Sequence, residues 1–323
     1  MRTTTFQSFG APESVVSLDE QASPPLTPGH VRVRLLAAPI NPADINYIQG
    51  VYGVKPELPA TPGMEGCGEV MESTSPMIST GNRVIFLKRG GLWQEEVVAA
   101  AEDLIVVPTE IDPMQACMLG INPLTALLML ENFRPLAEGE CIIQNAANSN
   151  VGRCLIQIAK KRGITTINTV RRSELFQELE EFGADHVFVD DSDLKKHVRN
   201  VELNPALAIN CVGGDSGLRQ ISLLAEEGVQ VTYGAMSKQA IKVPNGAMIF
   251  KHLRLEGFWV TKWLESNERS VVQAAYQKLA EMVVAGELTQ AIDTIYPLSS
   301  ITEALAHAQQ EQRSGKILLQ MEG

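Results

Sequence analysis

The chain has 323 residues, more than one hydrophobic core ordinarily supports, which predicts two domains. Its 45% hydrophobic and 20% charged residues are those of a globular protein, with no apolar run of the length (about 18 residues) that a membrane span needs. A formal net charge of −11 argues against tracking a nucleic-acid phosphate backbone, so no nucleic-acid role is expected, while an anionic cofactor needs only one local basic patch.

Met1 to Gly10 carries one Arg and no apolar stretch, which argues against a secretory signal. A cytoplasmic location is expected, or the mitochondrial matrix if a transit peptide has been removed. The five cysteines (Cys67, Cys117, Cys141, Cys154, Cys211) are widely spaced and form no Cys-x-x-Cys pair. They fit buried thiols in a reducing compartment. No spacing of Cys or His suggests a metal nest, so no metal is expected.

From Met1 to about Leu119 the texture is that of short strands broken by turns. Val31-Arg32-Val33-Arg34-Leu35 alternates at period two, as a half-buried strand does. From about Pro135 strands alternate with helices. The expected strands are Cys141–Asn145, Ile164–Val170, His186–Val189, Leu207–Cys211, Val229–Tyr233 and Leu253–Trp259. Between the first two, Val151 to Arg162 repeats its apolar residues at helical spacing. Ser173 is placed to cap the next helix, with Gly183 beyond its end. This alternation predicts a doubly wound parallel sheet. A tail helix, Val271 to Ala285, precedes a last strand, Gly315 to Leu319, expected to return to the first domain.

Ligands of open parallel sheets bind beyond the carboxyl ends of the strands, so those positions carry the functional reading. After the first strand, Asn148-Ser149-Asn150-Val151-Gly152 enters a helix whose amides and partial positive charge suit a pyrophosphate. Only Gly152 remains of the usual glycines, and Asn150 is a candidate for a left-handed backbone position. A plain helix cap explains the segment equally well. After the second strand stand Arg171-Arg172-Ser173, with no Asp or Glu to accept a ribose hydroxyl. Two guanidiniums there favour a 2′-phosphate, hence NADPH over NADH. Cys211-Val212-Gly213-Gly214 and Tyr233-Gly234-Ala235-Met236 follow the fourth and fifth strands with the small residues a cofactor crevice needs.

Segments in both halves carry a specific resemblance. They include Ile40-Asn41-Pro42-Ala43-Asp44-Ile45-Asn46, Ile48-Gln49-Gly50-Val51-Tyr52-Gly53, Leu119-Gly120-Ile121-Asn122-Pro123-Leu124, Asn210-Cys211-Val212-Gly213-Gly214 and Gly257-Phe258-Trp259. Through them the chain resembles the medium-chain dehydrogenases/reductases over essentially its whole length. Within that superfamily it is similar to the trans-2-enoyl-CoA reductases of mitochondrial type.

The resemblance implies an α/β protein: a GroES-like β-rich catalytic domain over 1–119, a Rossmann NADPH-binding domain over 120–263, and a C-terminal return over 264–323. It implies a homodimer joined through the Rossmann sheets. The activity implied is reduction of an enoyl thioester, carried on coenzyme A or acyl carrier protein, with Tyr52 as proton donor. A phenol keeps its proton at neutral pH, where a carboxylate does not. Further implied cofactor contacts are Asn122, Asn148 to Val151, Tyr233 to Met236, Phe258, Trp259, Val260 and Lys316. Each has a plainer reading: a helix start for Asn122, core for Trp259, a solvated cation for Lys316, a loop filler for Tyr52.

Zinc-dependent members of the superfamily use a Cys before the Asp of the first segment and a His in Gly-His-Glu. Here those places hold Ala43 and Met64, so a zinc-independent enzyme is expected. An NADPH:quinone oxidoreductase of the same superfamily is the alternative activity, and a non-catalytic NADPH-binding protein the alternative of another class. Lys88-Arg89 and Lys251-His252 are the basic pairs available to an acidic carrier protein.

Overall fold

The computed structural model describes residues 1–310 and 313–322. It divides into two compact units, Met1–Ile121 with Asn267–Gly323, and Asn122–Ser266.

The first unit is built around a sheet in which Ile292–Pro297, Lys316–Gln320, His30–Pro39, Cys67–Ser73, Arg83–Phe86 and Leu104–Val107 lie side by side. Glu96–Ala100 also pairs with His30–Pro39. The period-two pattern of the long strand decides which face is core. Val31, Val33 and Leu35 are buried, while Arg32 reaches Glu72 at 2.8 Å and Arg34 reaches Glu69 at 3.6 Å. Their apolar face packs with Phe6, Phe86, Trp93 and the helix Ile301–Ala308. The terminal strand Lys316–Gln320 does return to this unit: it pairs with His30–Pro39 in antiparallel register, Leu319 opposite Ala38. The tail helix runs from Arg269 to Val284.

The second unit holds six parallel strands, β1 (Cys141–Gln144), β2 (Thr165–Val170), β3 (His186–Val189), β4 (Leu207–Asn210), β5 (Val229–Thr232) and β6 (Arg254–Gly257). Their order is β3-β2-β1-β4-β5-β6. This is the doubly wound dinucleotide order, and its direction of winding reverses between β1 and β4. The sequence-derived strands match to within two residues at each end. The central pair, β1 and β4, is buried at every position, as strands covered on both faces are. β6 is the opposite case. It pairs only with β5 and is mostly exposed.

Two local expectations fail. Ser173 caps no α-helix: it begins a 3₁₀ turn, Ser173–Leu175, and the helix Phe176–Glu181 starts after it without a side-chain cap. Asn150 is not left-handed either. It is the first residue of the helix Asn150–Lys161, and the positive φ in this segment falls on Ala146, at 47°. The tight turn comes earlier than the glycine analogy suggests.

Candidate functional site

In the second unit the segment after β1 turns sharply into its helix. Ser149 is the N-cap, its Oγ accepting the Gly152 N–H at 3.2 Å. A methyl group on Gly152 would lie 2.4 Å from the Ala147 carbonyl oxygen. The one glycine retained here is therefore the one that lets helix and loop touch. Asn148, Asn150 and Val151 share this turn, and the first amides of a helix have no partner within it.

Arg171 and Arg172 follow β2 directly and are exposed, as is Ser173. Neither arginine makes an ion pair among the described residues. After β5 come Tyr233, Gly234, Ala235 and Met236. The Met236 N–H donates to the Cys211 carbonyl at 2.9 Å, and a Cβ on Gly234 would meet that same carbonyl at 3.0 Å. Burial beside Cys211 holds the Tyr233 phenol well above its ordinary value, and Ser149 partly offsets this. After β6, Phe258 packs edge-on against Phe133 at 5.6 Å, Trp259 is 45% exposed, and Val260 is buried at the start of the helix Val260–Ser266. Trp259 is therefore not core. Asn122 opens the helix Asn122–Asn132, buried, with its Nδ2 lacking a partner.

The sequence did not single out the side chains that hold these turns. Asn145 and Asn210, each at the end of a buried central strand, bond to one another at 2.8 Å. Polar residues closing apolar runs were the available signal.

In the first unit, Tyr52 lies just past the helix Pro42–Ile48. Pro42 supplies the fixed φ and missing N–H that a first helical turn tolerates, and Asp44 Oδ2 accepts the Asn41 N–H at 2.8 Å. Two residues past the helix stands Gly50, at φ 72°, where a Cβ would strike the Phe9 ring at 2.7 Å. Val51 and Tyr52 then donate their N–H groups to Asn46, at 2.9 and 3.1 Å. The Tyr52 ring, half-buried, is thus carried on a fixed turn with exposed apolar neighbours Val51 and Val54.

The N-terminus of that helix sits on a buried polar cluster. Asp44 also accepts the Met64 N–H at 2.8 Å, Asn41 donates to Glu65 at 2.8 Å, and Lys316 Nζ donates to Asn41 Oδ1. Lys316 is buried, not solvated. Burial raises both carboxylic acids, Asp44 to about 7, and lowers the Lys316 ammonium, with their mutual attraction opposing it. Ala43 and Met64 offer no zinc donors, and the described residues include no group of three or more His, Cys, Asp or Glu placed to hold a metal. The residues present do not fit a zinc ion.

Two of the basic residues each donate to a backbone carbonyl. Arg89 Nη2 is committed to the Gly120 carbonyl at 2.8 Å, and Lys251 Nζ to the Leu224 carbonyl at 2.6 Å. The five cysteines are all buried and free. No described helix is long and apolar enough to cross a membrane.

Comparison with known proteins places these features in context. Residues 27–109 match the alcohol dehydrogenase GroES-like domain, and residues 150–281 the zinc-binding dehydrogenase domain. The chain is 39% identical to the mitochondrial enoyl-[acyl-carrier-protein] reductase of Xenopus tropicalis, over 99% of this chain and 95% of that protein. The Homo sapiens protein of the same name is 38% identical over 99% and 89%. Among solved structures, a complex of Etr1p with NADP and crotonyl-CoA is 28% identical with TM-score 0.88, covering 99% of both chains. The mitochondrial 2-enoyl thioester reductase Etr1p/Etr2p heterodimer from Candida tropicalis is 28% identical with TM-score 0.89, again over 99% of both. A Bacillus thuringiensis protein assigned as an NADPH:quinone reductase is 26% identical with TM-score 0.91, over 99% of this chain and 98% of that one.

The Asp44 carboxyl yields a prediction with a definite sign. A carboxyl raised from 3.8 to about 7 binds its proton more tightly in the folded chain than in the unfolded one. The stability it contributes is full below its unfolded value and is lost as pH rises towards 7, by on the order of 4 kcal/mol at most. Asp44→Asn removes this dependence and leaves one of the two amides unsatisfied, a constant cost of about 1–3 kcal/mol. Denaturant unfolding from pH 4 to 7.5 should show the wild-type advantage shrinking with pH; an advantage that grows with pH contradicts the raised value.

Proposed function

We propose that this chain, which belongs to the medium-chain dehydrogenase/reductase family and within it to the enoyl thioester reductases, converts trans-2-enoyl thioesters to saturated acyl thioesters with NADPH. The observation that carries this reading is the full-length relationship, at 38–39% identity, to proteins named for that reaction. The Rossmann unit and its strand-end arginines agree with it.

NADPH, when bound, supplies the hydride that adds to the β-carbon. Asn148, Ser149, Asn150 and Val151 present helix-terminal amides to the pyrophosphate. Arg171 and Arg172, aided by the Ser173 hydroxyl, grip the 2′-phosphate. Tyr233 to Met236 and Asn122 bracket the rest of the dinucleotide. Phe258, Trp259 and Val260 give an apolar wall to the acyl chain. The reduction would gather negative charge on the thioester oxygen and require a proton at the α-carbon. Tyr52 donates that proton from its fixed turn and recovers one from solvent. With no zinc ligands present, such hydrogen-bond donors stabilise the developing charge, at roughly 3–4 kcal/mol each when well aimed. Lys316, with Asn41 and Glu65, supports the N-terminal end of the helix that leads to Tyr52.

A homodimer through the Rossmann sheets is part of this reading. β6 offers an unpaired edge, and the helix Asn245–Lys251 before it buries none of its residues, leaving Ile249 and Phe250 60% and 79% exposed. A second copy of the edge would satisfy both features.

Three measurements test the proposal. Wild-type protein should oxidise NADPH with crotonyl-CoA far faster than with a small quinone. In the same assay Tyr52→Phe should lose about a hundredfold or more in turnover while NADPH binding barely changes; retained turnover removes Tyr52 from the reaction, and a preference for quinone favours the alternative activity. The double variant Arg171→Ala/Arg172→Ala should weaken NADPH by about ten- to a hundredfold and leave NADH unaffected; an equal loss for both nucleotides refutes the 2′-phosphate assignment. Phe250→Glu should shift the sedimenting species from dimer to monomer, and an unchanged dimer would move the interface elsewhere.

A further inference from the structure

β1 and β4 are the two strands between which the winding reverses, and both are followed by an asparagine or end in one. Asn145 and Asn210 are 1% and 0% exposed, at positions where an apolar residue would be ordinary. A buried carboxamide is costly unless satisfied, and these two are satisfied by the turn that follows β4 and by each other.

Asn210 Oδ1 accepts three hydrogen bonds: from Asn145 Nδ2 at 2.8 Å, the Val212 N–H at 3.2 Å and the Gly213 N–H at 3.0 Å. Its Nδ2 donates to Thr232 Oγ1 at 3.1 Å, reaching the last residue of β5. Asn145 Oδ1 accepts the Cys211 N–H at 2.9 Å, and its Nδ2 also donates to Ser216 Oγ at 2.8 Å. Ser216 passes the chain to Asp190, which Arg219 holds at 2.6 Å. The Asp190 N–H closes on the Val170 carbonyl at 2.8 Å, the residue before Arg171. One continuous hydrogen-bonded line therefore runs beneath the carboxyl ends of β5, β4, β1, β3 and β2.

The turn is also tied from outside, the Gly214 N–H to the Gln239 carbonyl at 3.0 Å and the Val212 carbonyl to the Ser237 N–H at 2.9 Å, but the N–H groups that open it rest on the asparagines. Gly213 and Gly214 have φ of 81° and 52°, the left-handed region that favours glycine, and glycine loses more conformational freedom on being fixed than any other residue. Three successive N–H groups, from Cys211, Val212 and Gly213, are fixed by two side-chain oxygens.

We infer that Asn210, braced by Asn145, is a positioning residue for the cofactor: its amide oxygen preorganises the Cys211–Gly214 turn and the strand ends on which the dinucleotide rests. This rests on the NADPH reading above. Fixing the turn before binding removes an ordering cost that the dinucleotide would otherwise meet, so the effect falls on affinity.

The test compares three isosteric or near-isosteric variants of the full-length protein by NADPH titration, thermal unfolding and crotonyl-CoA kinetics. Asn210→Leu removes the acceptor. Asn210→Asp keeps it: a carboxylate accepts the same three donors, and the Thr232 hydroxyl can turn to donate to it. Asn168→Leu is the control, since Asn168 is equally buried inside β2 and bonds to Thr166 and the His186 carbonyl at 2.9 and 3.1 Å. Expected is an NADPH Kd raised about tenfold or more in Asn210→Leu, near wild-type in Asn210→Asp, and near wild-type in Asn168→Leu despite a similar loss of melting temperature. Wild-type affinity in Asn210→Leu, no recovery in Asn210→Asp, or an equal loss in Asn168→Leu overturns the inference while leaving the cofactor reading intact. Failure of the wild-type protein to bind NADPH overturns the cofactor reading itself.

Discussion

Two adjacent parallel strands buried on both faces pose one problem at their carboxyl ends. The ladder stops there, the backbone must turn, and its N–H groups meet no water. In this protein that problem is solved by two carboxamides, Asn145 and Asn210, which bond to each other and to the N–H groups of the turn beyond β4. The turns that leave the carboxyl ends of these strands are tied to that solution. The Ser149 cap, the Gly213–Gly214 turn and the Tyr233 segment all leave the sheet at strands it ties together.

The first unit shows the same logic with charges in place of amides. Asn41 joins Lys316, from the last strand, to Glu65, while Asp44 caps the helix that leads to Tyr52. Beside Ala43 and Met64, which offer no zinc donors, these polar groups are arranged around one another. A buried cluster of this kind is costly to assemble, as the upward shift of both carboxylic acids records. Its return is geometric. The terminal strand, the Gly63–Glu65 segment and the start of the Tyr52 helix are held to one register, so a phenol on a short turn is given a rigid base.

Much of this architecture is legible in the residues. The alternation of Val31 to Leu35, the apolar runs of the parallel strands and the helical spacing after Val151 each encode burial through their own period. The arginine pair after β2 and the smallness of the residues after β1, β4 and β5 depend only on chain order relative to a strand. Local conformations were less legible. Asn150 invited comparison with a glycine fingerprint, yet the left-handed residue is Ala146. Ser173 had the right chemistry for a cap but begins a 3₁₀ turn. Arg89 and Lys251 read as part of basic pairs for a carrier protein, and each also donates to a backbone carbonyl, a contact no spacing announces.

By itself, then, the chain determined its strands, its winding, the arginine pair after β2 and the loss of zinc donors. Those properties follow from side-chain chemistry and sequence spacing, which act over a few residues. Only tertiary structure decided that Lys316 meets Asn41, 275 positions away, and that Asn145 meets Asn210, 65 positions away. Whether a polar residue is solvated or buried depends on what the fold brings against it, and no local period records that.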